Sequence, residues 1–150
     1  MLYIAYGSNL HLGQMAHRCP TAEVVGAGEM KGYDLRFRGG ERGGLATVEP
    51  LEQGAVPVLV WDIKDRELEA LDAYEGYPSL YRKENQTVEM DGQPVEAMVY
   101  IMNEAVGYGT PGDYYYNVIR EGYDSAGFDT AYLDNSVERS AQLMLEEQSM

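Results

Sequence analysis

The sequence of 150 residues contains one cysteine, Cys19, so it forms no internal disulfide and depends on a hydrophobic core. Its apolar fraction of 45% is sufficient for one globular core. No apolar run approaches the roughly 20 residues that a membrane-spanning helix requires. Residues 1–5 have no basic segment before their apolar stretch, which does not match a secretory signal. We therefore predict a cytoplasmic protein that does not associate with membranes.

Basic residues are also scarce, with 11 Lys and Arg against 25 Asp and Glu and a net charge of −14. Such a surface repels the phosphate backbone of nucleic acids, so we predict no nucleic-acid partner. Phenylalanine is nearly absent and tyrosine is abundant, since the chain has two Phe and 13 Tyr. Tyrosine suits a cavity that must be both apolar and rich in hydrogen bonds, although ordinary packing accounts for most of these residues.

The chain shows neither repeats nor a low-complexity linker, and we predict one domain over residues 1–150 with an acidic tail from about 140. Strand-type segments come mostly before helix-type segments, which favours an α+β fold. The predicted strands are 2–5, 22–37, 45–48, 56–63, 81–90 and 95–102. The predicted helices are 10–17, one capped by Asp65 and stopped by Gly76, one capped by Thr110 with Pro111 as its first residue, and one from about 128 with a frayed acidic end.

Two features of the predicted strands indicate a curved sheet or a barrel. Gly26, Gly28 and Gly32 interrupt the second strand, which is typical of bulges and sharp bends. The pair Asp91-Gly92 predicts a tight hairpin between the last two strands. In the last strand both alternating sets of side chains are apolar. We therefore predict that it is buried on both faces, as in a barrel or at the centre of a sheet.

The most unusual acidic residue is Glu75, at the end of the second predicted helix. It follows Leu68 and Leu71 at helical spacing and so falls on the face expected to be buried. Three charged neighbours fall on the outer positions, namely Arg66, Glu67 and Glu69. Burial and the negative end of the helix dipole both raise the pKa of a carboxyl group, as a general base working near neutral pH requires. The other interpretation is a frayed helix end at which Glu75 reaches solvent or pairs with Arg82 or Lys83.

The segment Tyr6-Gly7-Ser8-Asn9 joins the first strand to a helix start. Such a turn presents clustered backbone N–H groups, which suit a carboxylate or an oxyanion, and the Tyr6 phenol lies beside them. A plain strand-to-helix turn capped by Ser8 or Asn9 explains the same residues. On physical grounds alone the plain turn is favoured.

Other chemistries fit the sequence less well. The segment around Ser8 lacks the second glycine of a nucleophile elbow, and the sequence has no well-placed His–acid pair. Both observations argue against a serine hydrolase. The spacing of His11, His17 and Cys19 matches no zinc pattern, so we predict no metal site. The segment Gly26-Ala27-Gly28 lacks the third glycine of a dinucleotide-binding loop.

Taken in order, several motifs resemble the γ-glutamylcyclotransferase family, which includes γ-glutamylamine cyclotransferases and AIG2-like proteins. The more specific ones are the YGSN loop at residues 6–9 and the segment Leu71-Asp72-Ala73-Tyr74-Glu75-Gly76. The other matching segments are Arg18-Cys19-Pro20, Gly43-Gly44-Leu45-Ala46-Thr47-Val48, Tyr81, and Pro111 with Tyr115. The resemblance implies a compact mixed β-barrel with a few flanking helices, and no cofactor.

The resemblance also implies a reaction and the residues that perform it. Glu75 matches the catalytic acid and base of the family. The residues that match its substrate-binding site are Tyr6, Gly7, Ser8, Asn9, Leu10, Tyr81 and Tyr115. In the implied reaction the α-amino group of a γ-glutamyl compound attacks its own γ-carbonyl, which releases 5-oxoproline and an amine or amino acid. The implied partner is therefore a small γ-glutamyl molecule. The sequence does not identify the amine that is released or the oligomeric state.

Two other classes of function stay open at this stage. A small-ligand binding or regulatory module of the same fold would keep the cavity without catalysis. An acidic protein-interaction domain would have an exposed apolar patch and a solvent-exposed Glu75 with no cavity beside the YGSN loop.

Overall fold

The computed structural model describes residues 1–103 and 106–150. The strands are β1 (Leu2–Ala5), β2 (Glu23–Arg38), β3 (Leu45–Asp62), β4 (Tyr81–Met90) and β5 (Gln93–Met102). The helices are α1 (Leu12–Arg18), α2 (Asp65–Glu75), α3 (Asp113–Ala126) and α4 (Thr130–Gln148), with a short 3-10 turn at Ser8–Leu10. Among the described residues, no helix is both long and apolar enough to cross a membrane.

The five strands form a closed barrel in the order β1-β3-β2-β4-β5. Neighbouring strands are antiparallel except at the closure, where β1 runs parallel to β5. The barrel with flanking helices confirms the predicted α+β fold. The register of β2 against β3 shifts between Val24 and Gly26 and between Lys31 and Tyr33, which confirms the irregularities predicted at Gly26 and Gly32. Gly28 pairs with Val58 in continuous register, so the irregularity predicted there is absent.

The long hairpin of β2 and β3 differs from the prediction in one respect. The segments 45–48 and 56–63 were predicted as separate strands, but they belong to the single strand β3. The register shift at Lys31 and Tyr33 lies opposite the polar stretch between them, so the hairpin bends there without interruption. The strand therefore bends at a corner of the barrel and continues. The loss of apolar alternation there marks the bend and not the end of the strand.

Strand β5 runs through the centre of the hydrophobic core. All six residues from Ala97 to Met102 are buried, and the fraction of each exposed to solvent does not exceed 5%. This confirms the predicted burial of both faces of the strand. The predicted hairpin turn is also present, because Asp91 and Gly92 both have positive φ angles and join β4 to β5.

Helix α2 ends as predicted but begins differently. Its last residue is Glu75, and Gly76 ends it in the left-handed conformation with φ 64°. Lys64, not Asp65, is the N-cap residue, and its N–H donates to Glu67 Oε1 over 3.1 Å. The prediction of an outer position for Glu67 is wrong. This carboxylate is buried because the N–H and hydroxyl of Thr21 also donate to it, at 2.8 and 2.7 Å.

Helix α3 begins at Asp113 with Gly112 as its N-cap, so the predicted cap at Thr110 is wrong. The Thr110 hydroxyl instead accepts a hydrogen bond from the N–H of Arg42, and its backbone pairs with the 39–44 loop. Those contacts hold residue 110 outside the helix and leave Pro111 in the connecting segment.

Helix α4 covers the second half of β2. Three of its hydroxyls, spaced four residues apart, bond main-chain groups of that strand. Tyr132 accepts from Leu35 N–H, Ser136 donates to Leu35 O and Ser140 accepts from Phe37 N–H. The helix stays regular through Gln148, past the end where fraying was predicted, and Glu147 accepts a 2.7 Å hydrogen bond from Tyr108 N–H.

Candidate active site

A cavity of about 170 Å³ lies where the end of β1, the 3-10 turn, the end of α2 and the first turn of α3 meet. Six tyrosines line it, and we call it the tyrosine cavity: Tyr3, Tyr6, Tyr74, Tyr81, Tyr100 and Tyr115. The other lining residues are Ile4, Gly7, Ser8, Asn9, Leu45, Ala46, Glu75 and Leu80. Its volume is close to that of a cavity that holds a benzene-sized molecule, about 150 Å³, so it suits one small head group.

The structure brings together all but one of the residues singled out in the sequence. Glu75, Tyr6, Gly7, Ser8, Asn9, Tyr81 and Tyr115 all line the tyrosine cavity. Leu10 does not. It is fully buried under α3, where a Cβ added to Gly122 would come within 2.6 Å of Leu10 Cβ. Leu10 therefore fixes the loop against the helix, and its part in substrate binding stays a prediction.

The sequence did not predict several residues that line the cavity, above all Tyr3 and Tyr100. Both lie within apolar stretches of β1 and β5, and their rings meet edge to face with centroids 5.9 Å apart. The one signal in the sequence was the excess of tyrosine over phenylalanine. Composition indicates such a cavity but does not say which tyrosines face it.

Glu75 is half-buried at the end of α2, and its carboxyl group lines the cavity. Among the described residues, none makes a hydrogen bond or an ion pair with this carboxyl group. The alternative partners are engaged elsewhere, since Lys83 pairs with Asp72 and Arg82 with Glu84. Burial raises the pKa of Glu75 to about 7, and the positive charge of Arg18 opposes that shift.

The residue one turn before Glu75 fixes the helix to the barrel. The Tyr100 hydroxyl donates to Asp72 Oδ1 over 2.5 Å, and the Lys83 ammonium donates to the other oxygen over 3.0 Å. Lys83 also lies over the Tyr77 ring, 4.2 Å from its centroid. These contacts come from β4, β5 and the segment after α2, so they set the position at which Glu75 enters the cavity.

The YGSN loop is held by hydrogen bonds on both sides. Tyr6 donates to the backbone oxygen of Tyr100 over 2.7 Å, which fixes the start of the loop to β5. Ser8 Oγ and Tyr74 Oη lie 2.9 Å apart, which joins the loop to α2. The N–H of Leu10 donates to Gly7 O and closes the 3-10 turn. The loop is therefore preorganised, as a binding site requires.

Two tyrosines bond the backbone of one residue, Ala46, on the opposite wall. Tyr81 donates to the backbone oxygen of Ala46 over 2.6 Å, and the N–H of Ala46 donates to Tyr115 over 3.0 Å. The Tyr115 ring also meets Phe37 edge to face, with centroids 6.4 Å apart. The two predicted tyrosines thus define the side of the cavity formed by β3 and α3.

The buried tyrosines remain protonated. Burial, with the nearby Glu75 carboxyl group as an additional cause, raises the pKa of Tyr3 and Tyr6 well above the ordinary value for a phenol. Burial likewise raises the pKa of Tyr81 and of Tyr115. Glu75 is therefore the carboxyl group in this cavity that titrates near neutral pH, while the phenols act as neutral donors and acceptors.

Two of the three residues weighed as metal ligands, His11 and Cys19, have other contacts. His11 caps α1, where its Nδ1 accepts from Gln14 N–H over 3.1 Å. Cys19 is buried, with its sulfur 3.9 Å from the backbone oxygen of Glu67. Within residues 1–103 and 106–150 there is no group of three or more His, Cys, Asp or Glu side chains arranged to hold a metal ion.

The chain belongs to the gamma-glutamyl cyclotransferase, AIG2-like family, whose profile matches residues 3–122. A solved structure of a gamma-glutamyl cyclotransferase is 25% identical to it, with a TM-score of 0.79, over 90% of this chain and 85% of that one. The uncharacterized human protein loc79017 has the same identity and coverage and a TM-score of 0.81. YkqA from Bacillus subtilis, at 22% identity and a TM-score of 0.78, shares the fold over 95% of this chain and 55% of its own. The sequence has no match among curated proteins.

Proposed function

We propose that this protein is a γ-glutamylcyclotransferase-type enzyme that converts a γ-glutamyl compound to 5-oxoproline and releases an amine or amino acid. The observation that carries the proposal is the position of Glu75 in a cavity large enough for one small head group. Burial there raises the pKa of the Glu75 carboxyl group to about 7. A general base is most effective when its pKa lies near the working pH. Membership of the gamma-glutamyl cyclotransferase, AIG2-like family supports the same reaction.

Glu75 removes a proton from the α-ammonium group of the substrate, and the free amine then attacks the γ-carbonyl carbon. A carbon–nitrogen bond closes the five-membered ring, and the carbonyl oxygen becomes an oxyanion. The ring nitrogen loses its second proton as the bond to the leaving nitrogen breaks. Glu75 gives the first proton to that nitrogen, then accepts the second from the ring nitrogen and passes it to the released amine. The two protons lost by the substrate's ammonium group therefore end on the released amine. The reaction consumes no water and transfers no electrons.

The cavity contributes mainly by holding the substrate in a folded conformation. The nucleophile and the electrophile belong to one molecule, so fixing them within reach removes much of the entropic barrier. The small volume favours the γ-glutamyl head and leaves the departing amine toward the opening. Gly7, Ser8 and Asn9 bring backbone and side-chain donors to this head group, each worth on the order of 3 kcal/mol where it meets developing charge.

The proposal is tested by offering the protein a panel of γ-glutamyl amino acids and γ-glutamylamines and measuring 5-oxoproline release. We expect turnover of at least one donor and its loss in Glu75→Gln, which keeps the shape of the side chain and removes the base. Glu69→Gln, on the exposed side of the same helix, is the matched control and keeps turnover. Full turnover by Glu75→Gln would refute the role of Glu75.

The same panel separates catalysis from simple binding. A small-ligand binding or regulatory module would be stabilised by a γ-glutamyl ligand in a thermal-shift measurement but would release no 5-oxoproline. Stabilisation of both the wild type and Glu75→Gln, with no product from either, would therefore replace the enzymatic proposal with the binding one.

A further inference from the structure

Tyr3 occupies a wall of the tyrosine cavity to which the sequence assigned no role. It lies on β1 with 3% of its surface exposed, and its ring packs against Tyr100. Its hydroxyl oxygen is 2.9 Å from the side-chain nitrogen of Asn9. Asn9 is in turn 2.6 Å from the guanidinium of Arg18. These three side chains form a chain of hydrogen bonds from a half-buried cation to the cavity wall.

The direction of every hydrogen bond in this chain is fixed by Arg18. A guanidinium group only donates, so the Asn9 atom that faces it must be the carbonyl oxygen. The amide nitrogen of Asn9 then faces Tyr3 and donates to its hydroxyl oxygen. The Tyr3 hydroxyl has one proton, and that proton cannot point back toward the donating amide. Because Tyr3 lines the cavity, its O–H group is a donor held for a ligand.

The other phenols that face the cavity differ in this respect. The hydroxyl protons of Tyr6 and Tyr81 are used on the backbone oxygens of Tyr100 and Ala46. The Tyr100 proton is used on a carboxylate of α2. Tyr115 is the counterpart of Tyr3, since its oxygen also accepts from an amide, here the backbone N–H of Ala46. Tyr74 shares a hydrogen bond with Ser8, and Arg18 stacks on its ring, 3.5 Å from the centroid. Tyr3 is thus the phenol that a chain of hydrogen bonds joins to a cation, through the Asn9 amide.

We propose that the Tyr3 hydroxyl binds the α-carboxylate of the γ-glutamyl head group, and that Asn9 and Arg18 orient and polarise it for that purpose. This assignment rests on the proposed cyclotransferase function. The α-carboxylate is the fixed negative charge that every γ-glutamyl substrate shares with the product 5-oxoproline. A buried carboxylate beside Glu75 requires strong donors and a compensating cation. The Arg18–Asn9–Tyr3 chain supplies both without placing a cation in the cavity wall.

Binding of the product tests the assignment without relying on catalysis. We expect Tyr3→Phe to weaken binding of 5-oxoproline by about ten- to a hundredfold, the usual value of a hydrogen bond to a charged group. Binding of 2-pyrrolidone, the same ring without the carboxylate, should be equal in the wild type and the variant. Equal binding of 5-oxoproline by the two proteins would overturn the assignment.

Asn9→Asp is a second variant that preserves the size of the side chain. Its carboxylate would still accept from Arg18, but it would take the Tyr3 proton instead of donating to the hydroxyl. We expect the same selective loss of 5-oxoproline affinity. A circular dichroism spectrum and a thermal melt of each variant confirm folding, so a folded Asn9→Asp protein with wild-type product affinity would refute the chain even where Tyr3→Phe misfolds.

Turnover distinguishes this role from stabilisation of the oxyanion. A carboxylate contact exists equally in the ground state and the transition state, so Tyr3→Phe should raise KM and leave kcat within about twofold. A lower kcat with unchanged KM and product affinity would contradict the assignment while leaving the cyclotransferase function intact. A wild-type protein that neither releases nor binds 5-oxoproline would overturn both proposals.

Discussion

Tyr100 donates a 2.5 Å hydrogen bond to Asp72, and through it strand β5 holds helix α2 one turn before Glu75. The same tyrosine accepts the Tyr6 proton on its backbone oxygen. One residue of the barrel therefore positions both the catalytic candidate and the start of the YGSN loop. Neither Asp72 nor its partner Lys83 lines the cavity, so their effect on Glu75 is one of position.

Asp72→Ala should lower kcat/KM for 5-oxoproline release by about tenfold or more. The variant removes the attachment of α2 to Tyr100 and Lys83, and small misplacements of a catalytic group are costly because the reaction depends on proximity. Steady-state kinetics measure the effect, with Glu69→Ala on the exposed face of α2 as the control. Wild-type kcat/KM in folded Asp72→Ala protein would show that the helix end does not need this contact.

Glu75→Gln should stabilise the fold at alkaline pH. Burial raises the pKa of Glu75 from about 4.5 to about 7, so the folded state disfavours the ionised form. Below about pH 4.5 the carboxyl group is protonated in both states and the folded protein has its full stability. Stability is lost as the pH rises through this window, and above about pH 7 the loss reaches up to about 3 kcal/mol.

Urea unfolding at two pH values measures that difference. At pH 8 we expect Glu75→Gln to have a free energy of unfolding up to about 3 kcal/mol above that of the wild type. Near pH 4.5 the two proteins should be equally stable. A variant that is less stable than the wild type at pH 8 would mean that ionised Glu75 has a stabilising partner.

Asp34→Ala should destabilise the protein by about 3 kcal/mol. Asp34 has 3% of its surface exposed, and its carboxylate accepts hydrogen bonds from Arg36, Arg139 and Tyr132. Removing it takes the anionic partner from Arg139, leaves Arg36 paired with Glu49 alone, and loosens α4 from β2. Urea unfolding gives the size of the loss, and hydrogen exchange should show lower protection in α4. Glu138→Ala, exposed on the same helix, should change the stability by less than about 0.5 kcal/mol.

Gly122→Ala should destabilise the protein by about 1–3 kcal/mol although alanine is the better helix former. An added Cβ would come within 2.6 Å of Leu10 Cβ and 2.9 Å of the Leu10 carbonyl carbon, so α3 and the loop would have to separate. Asn117→Ala, at an exposed position of α3, is the control and should be neutral or stabilising. Thermal unfolding compares the melting temperatures of the two variants with that of the wild type. An equal melting temperature for Gly122→Ala and the wild type would mean that the loop moves freely.

The sequence predicted those parts of the site that local pattern determines. Helical spacing placed Glu75 on the inner face of α2, and Gly76 ended the helix where expected. The same spacing failed for Glu67, because its burial depends on donors from Thr21, which is distant in the chain. The sequence alone predicts that an acidic residue is exposed, because it does not show which distant residues donate hydrogen bonds to it.

Which residues line the cavity depends on how the strands pair to close the barrel. Local sequence patterns do not predict that pairing. Tyr3 faces Asn9 and Tyr100 because β1 pairs with both β3 and β5. The position of Leu10 illustrates the same limit. It lies next to the YGSN loop in the chain, but the packing of α3 against it turns it away from the cavity.

The central claim is that Glu75 is the general base, and the pH dependence of kcat/KM for 5-oxoproline release tests it most directly. This quantity reports the pKa values of the free enzyme. The wild type should lose activity about tenfold per pH unit below a midpoint near pH 7, where burial places the Glu75 pKa, and the residual activity of Glu75→Gln should show no such limb. A wild-type profile that stays flat down to about pH 5, or the same limb in Glu75→Gln, would contradict the account.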